Sequence, residues 1–587
     1  MSESSIYFEA FNKNDFTILP DDIKEELKDH IEKICNSKSA RKKEAKRIKI
    51  FLEKLEKSKN KVDNKVDTSN MSAKEYEEYR KNQFMEFGIE PYPHFYKTDY
   101  TINKIKEEYN YLNNNESVET KLVSISGRII QKRESSKKLV FYTIESNEET
   151  FQILANQQYY KDENIFRIMN QVLSRGDYIG IIGFPHRSKR GELSLIPKDL
   201  TLLTPCLNLL PKNVKDSEGN DVAVYNNKES RFRYRHLDWI LNPENRKIIK
   251  TRSKIISYIR RYFTDKDFYE VETPTLNLLS GGANAKPFTT HINAFDMPMY
   301  LRIAPELKLK QMIIGGFDRV FEIGKQFRNE GVDRTHLPEF TSIEFYERGA
   351  DYNSLIKTTE DLLSKLVLEL FGDLKVKYNL EPNDEGIEEE ITIDFTPPYK
   401  QYDMHDTLYQ EIKKVISDFE YPKDMFSEEA RLYFSDIVEK LGIECAAPRT
   451  TARLLDKLVG ELIEPKCVNP TFITNHFQVM SPLAKYHRNN PILTERFELF
   501  VSCKELCNAF TELNDPEIQE KLFIAQADDK KLGDDEAQMK DDEFIDAMKY
   551  GLPPTGGWGM GIDRLVMFLT NQNTIREVVT YPTMKPE

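Results

Sequence analysis

The sequence predicts a multidomain chain: an all-β barrel, then an α+β domain built on an antiparallel sheet, with a helical N-terminal extension. Three observations predict this. At 587 residues the chain exceeds what one hydrophobic core organises, so several domains are expected. Short alternating strands dominate between about 118 and 205. From about 230 onward helices and strands mix, with few helical crossovers between the strands, which favours antiparallel pairing.

The extension comes first. Residues 22 to about 58 are rich in helix formers, with Leu27, Ile31 and Ile34, then Ile48, Phe51, Leu52 and Leu55, at helical spacing. Composition alone leaves a solvated lysine-rich tail equally open. The whole chain carries −13, yet residues 33–66 hold thirteen Lys/Arg against four Asp/Glu, a local +9 that leaves −22 on the rest. Clustered charge on an acidic body is an interaction signal, because phosphate backbones respond to local density. "KNKVDNKVDTSN" reads as a linker, and residues 1–67 are expected to form a basic, RNA-binding extension.

The barrel follows. "KLVSISGRIIQKR", "KLVFYTIE", "TFQILAN", "DYIGIIGFP" and "GELSLIPKDLTLL" alternate with period two, and "DENIFRIMNQVL" interrupts them as a helix. Five strands with one helix fit an OB-type barrel. Phe141, Gln152 and Glu192, with Arg133 nearby, suit base stacking and base-edge contacts on such a barrel. Taken alone Phe141 also fits a core position, since aromatics at strand spacing usually pack.

In the second domain "PENRKIIKTRSKIISYIRRYFTDK" predicts a long amphipathic helix, followed by the strand "FYEVETP", which Pro274 ends. "TTARLLDKLVGELI" predicts another helix. Side chains two apart on a strand share a face. "EFTSIEFYE" therefore groups Phe340, Ser342, Glu344 and Tyr346, and "CNAFTEL" groups Asn508, Phe510 and Glu512. Carboxylates among rings are costly unless a cation meets them, so two such strands beside an arginine-bearing loop point to a pocket for a cationic ligand. Arg328 and Glu330 open that loop and His336 closes it. The guanidinium fork of Arg328 suits a carboxylate or phosphate. In "GLPPTGGWGMGIDRLVMFLT" Gly556, Gly557, Gly559 and Gly561 permit close backbone approach to a ligand, and Arg564 starts an apolar helix, as a polyphosphate site needs. Glu498 and Glu505 flank "LFVSCK" and could meet across a strand bend to hold magnesium. No Walker A, GxGxxG, HExxH or GxSxG element is present.

"FYEVETP", "FRNEGVDRTHLPEFTSIEFYE" and "GGWGMGIDRL" resemble motifs 1, 2 and 3 of the class II aminoacyl-tRNA synthetases. The barrel-first order is similar to the aspartyl, asparaginyl and lysyl subgroup. "GGANAKPF", "RIAPELKLK", "RFELF", "ELCNAFTELNDP" and "PRTTARLLDKLVGE" closely resemble the lysyl-tRNA synthetases, and the basic arm resembles the extension of eukaryotic members. Leu337 stands where many relatives carry a polar residue. The resemblance implies an anticodon-binding OB domain over 68–215 and a class II catalytic domain over 216–587. It implies L-lysine, ATP and tRNA(Lys) as substrates, Mg²⁺ as cofactor, and a homodimer formed through the motif 1 helix and strand; membership of a multi-synthetase complex stays open.

Site residues follow from the same resemblance. Glu344, Tyr346 and Glu512, walled by Phe510, would receive the lysine ε-ammonium, and Glu306 with the backbone at Gly282 the α-amino group. Arg328 and Asn508 would hold the carboxylate. Phe340 and Arg564 would sandwich adenine, with Gly561 beside it, while Arg328, Glu330 and His336 orient ATP. Glu498 and Glu505 would bind the metal, and Arg133, Phe141, Gln152 and Glu192 the anticodon. An aspartyl or asparaginyl enzyme would instead show a basic residue in the side-chain pocket. No run of 18 apolar residues occurs, so no membrane span is expected, and the opening "MSESSIYFEAFNKNDF" lacks the blocks of a secretory signal. Six cysteines without zinc-site spacing read as reduced thiols, which fits a cytoplasmic protein.

Overall fold

Alternation closes the first sheet on itself. In the computed structural model, β1 (Val123–Ser136), β2 (Leu139–Ser146), β3 (Glu149–Asn156), β4 (Tyr178–Arg187) and β5 (Leu193–Thr204) form a closed barrel in the order β1-β2-β3-β5-β4. Residues of one parity, such as Ile125, Ile129, Val140, Tyr142, Ile144, Phe151 and Ile153, fill its core. β3 and β5 pair in parallel, and the remaining neighbours are antiparallel. The predicted helix between β3 and β4 spans Glu163–Val172 and buries Phe166, Met169 and Val172. The structure describes Thr68 and residues 71–587, except 161, 212–213, 216–220, 223–224, 280, 284, 381–388, 532–539 and 587. The predicted N-terminal helix therefore lies outside the described residues.

The chain divides into two compact units, the first reaching Val224 and the second running from Tyr225 to Glu587. In the second, α1 (Glu244–Thr264) is the predicted amphipathic helix, burying Ile255, Tyr258, Ile259, Tyr262 and Phe263. The strand after it is shorter than the sequence suggests. Only Tyr269–Glu270 (β6) joins the sheet, in parallel with Val320 and Phe321. The chain then leaves the ladder, because Thr273 turns its N–H and hydroxyl onto the buried Glu322 carboxylate, at 3.1 and 2.7 Å.

Next come α2 (Glu306–Ile314), β7 (Arg319–Phe327), β8 (Glu339–Arg348), β9 (Lys400–Asp403), α3 (Thr451–Leu462), β10 (Thr471–Thr474), β11 (Arg496–Val501), β12 (Lys504–Thr511), α4 (Asp542–Met548), β13 (Thr555–Gly561) and α5 (Ile562–Leu569). One eight-stranded sheet runs β9-β10-β11-β12-β13-β8-β7-β6, antiparallel except at its two edges. Its core gathers Phe263, Phe321, Phe345, Trp558 and the apolar face of α5, with the Phe345 and Trp558 rings stacked at 5.1 Å. α1, β8 and α5 are tied together by buried polar contacts. Asp563 accepts from Thr341 N–H at 2.8 Å and pairs with Arg252, which donates to Thr341 Oγ1 at 3.0 Å. The opposite face of β8, β11, β12 and β13 is left concave, and the site lies there.

Candidate active site

Alternation does the first part of the work. Along β8 the side chains of Phe340, Ser342, Glu344 and Tyr346 face one cavity of about 420 Å³, while Ile343 and Phe345 turn into the core. β12 adds Asn508 and Phe510, β11 adds Arg496 and Glu498, and β13 supplies Gly557, Gly559 and Gly561. The loop between β7 and β8 brings Arg328, Glu330 and His336, α5 brings Arg564, and Gly282, Glu306 and Glu505 also line the wall. The grouping read from the sequence is thus one concave surface, with one exception. Glu512 is fully buried and is not among the residues that line the cavity, its carboxylate being packed against Gly557 and Tyr346.

The two ends of the cavity differ in charge. At one end Glu306, Glu344 and Tyr346 converge over Glu512. Tyr346 Oη donates to Glu344 Oε2 at 3.2 Å, and burial followed by repulsion from Glu306 pushes the Glu344 carboxyl up to about 8. Burial likewise raises Glu306 and, further, Glu512, although Lys310 draws both down. Gly557 makes this packing possible. A Cβ there would come within 1.9 Å of Glu512 Oε1 and 2.6 Å of Tyr346 Cε1. The sequence assigns the β13 glycines to ligand approach; at Gly557 the space belongs to the carboxylate instead. Gly282, at φ +89°, lets the chain turn tightly over Glu306.

The other end is cationic and aromatic. The Arg328 guanidinium lies 5.2 Å from the Phe340 ring centroid, and its Nε is buried without a hydrogen-bond partner. Such a donor is costly unless an anion or acceptor meets it. His336 links the loop to α5, its Nε2 2.8 Å from Arg564 Nη2 and its Nδ1 2.8 Å from Asp333. Arg564 also donates to the Glu505 carbonyl at 2.6 Å. Glu330, exposed, accepts from Lys286 N–H at 3.2 Å. Leu337 packs into the core and also lines the cavity, where its alkyl side chain offers no polar contact.

Between the ends lie Glu498 and Glu505 on adjacent strands. Burial works against the Glu498 charge, but Arg496 and His476 outweigh it and hold the carboxyl at about 2. Burial and then the charge of Glu498 raise Glu505, against the pull of Arg564, whose Nη1 lies 3.7 Å from Glu505 Oε2. Arg496 was missed by the sequence reading, although period two places it on the face of Glu498; it donates to Glu498 Oε1 at 2.6 Å and to Asn508 Oδ1 at 3.0 Å. Lys310 was missed too. Four residues after Glu306 on a helix, it looks like an ordinary solvated pair.

On the barrel Arg133 and Phe141 are cross-strand partners, with the guanidinium 4.9 Å from the ring centroid. Phe141 is half-buried on the outer surface between the core residues Val140 and Tyr142. Gln152 shares that outer face across the pairing with Thr143 and accepts from Ser194 Oγ at 2.9 Å. Glu192, exposed, precedes β5.

Comparison with known proteins bears on both units. The family described as tRNA synthetases class II (D, K and N) matches residues 227–585, and the OB-fold nucleic acid binding domain matches 123–203. The chain belongs to the class II tRNA synthetases of the D, K and N group. This synthetase is 44% identical to a lysine–tRNA ligase of Cladosporium cladosporioides, over 93% of this chain and 91% of the relative. It is 42% identical to a probable cytoplasmic lysine–tRNA ligase of Encephalitozoon cuniculi, over 86% and 95%. It is 41% identical to the lysine–tRNA ligase of Thermotoga maritima, over 88% and 97%. No helix among the described residues is long and apolar enough to cross a membrane.

Proposed function

We propose that this synthetase activates L-lysine with ATP to lysyl-adenylate and transfers the lysyl group to the 3′ end of tRNA(Lys). The observation that carries this reading is the acidic end of the cavity, where Glu306, Glu344 and Tyr346 converge over Glu512. An aspartate or asparagine substrate would need a free basic group there, and the buried cation at that end, Lys310, is already taken up by Glu306 and Glu512.

The substrate lysine enters with its ε-ammonium toward Glu344, Tyr346 and Glu512, beside Phe510, and its α-ammonium toward Glu306 and the backbone at Gly282. Arg328 and Asn508 hold the carboxylate. Adenine stacks between Phe340 and Arg564, next to Gly561. Arg328, Glu330 and His336 orient the phosphates. The lysine carboxylate attacks the α-phosphorus in line and pyrophosphate leaves; the ribose hydroxyl of the tRNA then attacks the mixed anhydride and AMP departs. No side chain acts as nucleophile, so catalysis is positioning plus stabilisation of phosphoryl charge by Arg328 and Arg564.

Magnesium fits Glu498 and Glu505, because two carboxylates on neighbouring strands face the cavity and Mg²⁺ takes one or two carboxylates beside phosphate oxygens. Bound there, it would neutralise charge on the triphosphate. The functional domains of this reading are the extension at 1–67, the anticodon-binding domain at 68–215 and the catalytic domain at 216–587. Arg133, Phe141, Gln152 and Glu192 read the anticodon. Two copies pair through α1 and the strand segment after it, about residues 245–274, where Tyr269 is exposed. The protein works in the cytoplasm. ATP–pyrophosphate exchange across the amino acids tests the central claim: lysine alone should support exchange, and exchange with aspartate or asparagine but not lysine would overturn it.

A further inference from the structure

We propose that Lys310 is a positioning residue of the amino-acid pocket, its buried ammonium bridging Glu306 and Glu512 and fixing these two carboxylates as acceptors for the two ammonium groups of the substrate. This rests on the reading of the cavity as a lysine site.

The geometry is specific. Lys310 lies on α2, fully buried, with Nζ 2.6 Å from Glu306 Oε1 and paired with the fully buried Glu512. Its ammonium lies 5.5 Å from the Phe510 ring centroid and 5.8 Å from that of Phe544 on α4. Glu306 lines the cavity and Glu512 Oε1 fills the space into which a Gly557 side chain would project, so the bridge spans wall and floor. The other ionisable groups facing it are Glu344 and Tyr346 from β8 and Arg496 from β11, while Glu543 of α4 is engaged outside by Lys308 at 2.8 Å. Two carboxylates thus hold one internal ammonium, with a third, Glu344, beside them. The imbalance leaves room for further ammonium groups, and the internal one determines which carboxylate oxygens remain for them.

The charge states agree. Burial disfavours the Lys310 charge, but Glu306 and Glu512 outweigh it and raise its pKa above the ordinary lysine value. Burial raises Glu306 and Glu512, and Lys310 is the largest influence holding them down. Without that ammonium both carboxyls rise further, and a carboxyl that holds a proton must lose it before accepting a substrate ammonium.

The test is Lys310→Met in the full-length protein, read by ATP–pyrophosphate exchange. The lysine KM should rise about ten-fold or more at pH 7 and recover towards the wild-type value by pH 8.5, one pKa unit being a factor of ten. The ATP KM should stay within about two-fold. A folded variant whose lysine KM and acidic limb match wild type, or one that loses only thermal stability and kcat at unchanged KM, overturns the proposal. If Lys310→Met does not fold, Lys310→Met with Glu512→Gln replaces both partners of the buried pair. Its acidic limb should lie above that of Glu512→Gln alone, through Glu306, and coincident limbs overturn the proposal. Glu344→Gln distinguishes a failure of the pocket assignment from a failure at Lys310 alone. If it too leaves the lysine KM unchanged, the pocket assignment has failed; if it raises KM while Lys310→Met does not, only the role of Lys310 has.

Discussion

The barrel and the catalytic sheet place their polar residues in opposite ways. On the barrel, Arg133 and Glu192 are exposed and Phe141 and Gln152 half-buried, on the convex outside of a sheet, away from a largely apolar core in which the buried Tyr142 hydroxyl is bonded to Asn170. On the catalytic sheet, Glu306, Glu344, Lys310 and Glu512 crowd the inside of a concavity, the last two fully buried. Exposed groups keep their solvation until a partner arrives, so they affect binding without affecting the fold. Buried charges must be balanced within the protein, so fold and specificity are the same interactions. Mutations should therefore separate binding from stability on the barrel and fail to separate them in the pocket.

The largest effect is expected at Glu512. Glu512→Gln strands the Lys310 ammonium beside Glu306 alone, and breaking one side of a buried pair costs about 3–5 kcal/mol. Lysine kcat/KM in exchange should fall by that order, and the melting temperature should fall with it. A variant with lost lysine kinetics and an unchanged melting temperature would break the comparison.

Glu344→Gln should sharpen it. Ordinarily near 4.5, this carboxyl is raised to about 8 in the fold, so between those values the folded state binds a proton that the unfolded state does not. Stability then falls as pH rises through that window. The glutamine variant, which cannot ionise, should melt about 2 °C or more above wild type at pH 8.5 and no higher at pH 5. Lysine binding needs the ionised form, so wild-type kcat/KM for lysine should climb towards pH 8, while the variant loses roughly 2–3 kcal/mol and that climb. A wild-type profile flat between pH 6 and 8 would remove the carboxyl from the binding step.

These two residues also mark how far the sequence was legible. Period two placed Phe340, Ser342, Glu344 and Tyr346 on one surface, because a strand leaves a side chain only two directions. It could not show depth. Glu512 continues the alternation of Asn508 and Phe510, yet its burial depends on Gly557 and on Lys310, which is about 200 residues away in the chain. Lys310 was invisible because a Glu–Lys pair four apart on a helix is the ordinary pattern of a solvated face. On the barrel, "LVFYTIE" is apolar at both parities, so alternation found the strand without saying whether Phe141 or Tyr142 faces the core. Tyr142 does. "FYEVETP" predicts a full strand, whereas two residues join the sheet and Thr273 bonds Glu322 instead.

Phe141→Ala comes next in size. Half-buried outside the core and covered by Arg133, the ring can be removed without opening a cavity. Its loss should cost about 1–3 kcal/mol of tRNA binding, as stacking does, with the melting temperature unchanged. Aminoacylation should fall while tRNA-independent exchange persists. A core aromatic would instead cost about 3–5 kcal/mol of stability. Unaltered charging by Phe141→Ala with Gln152→Ala would take anticodon reading away from this face.

The smallest effect at physiological salt should come from the extension, which differs from both regions in having charge without shape. Residues 33–66 carry a net +9 and a single aromatic, Phe51, so they can neutralise phosphates but have little with which to stack or read bases. Neutralising each phosphate releases condensed counterions, which makes the contribution steep in salt and nearly blind to sequence. Deleting residues 1–66 should weaken tRNA binding by only a few-fold near 150 mM salt, where the Debye length is about 8 Å, and by much more at low salt. The slope of log K against log salt should become shallower, by about 0.7–0.9 for each phosphate no longer contacted. Cognate and non-cognate tRNA should lose affinity alike, and lysyl-adenylate formation should not change. Filter binding of both tRNAs across a salt series checks this. Collapse of pyrophosphate exchange on deletion, or an unaltered salt slope, would show that the arm is not an electrostatic contact to RNA.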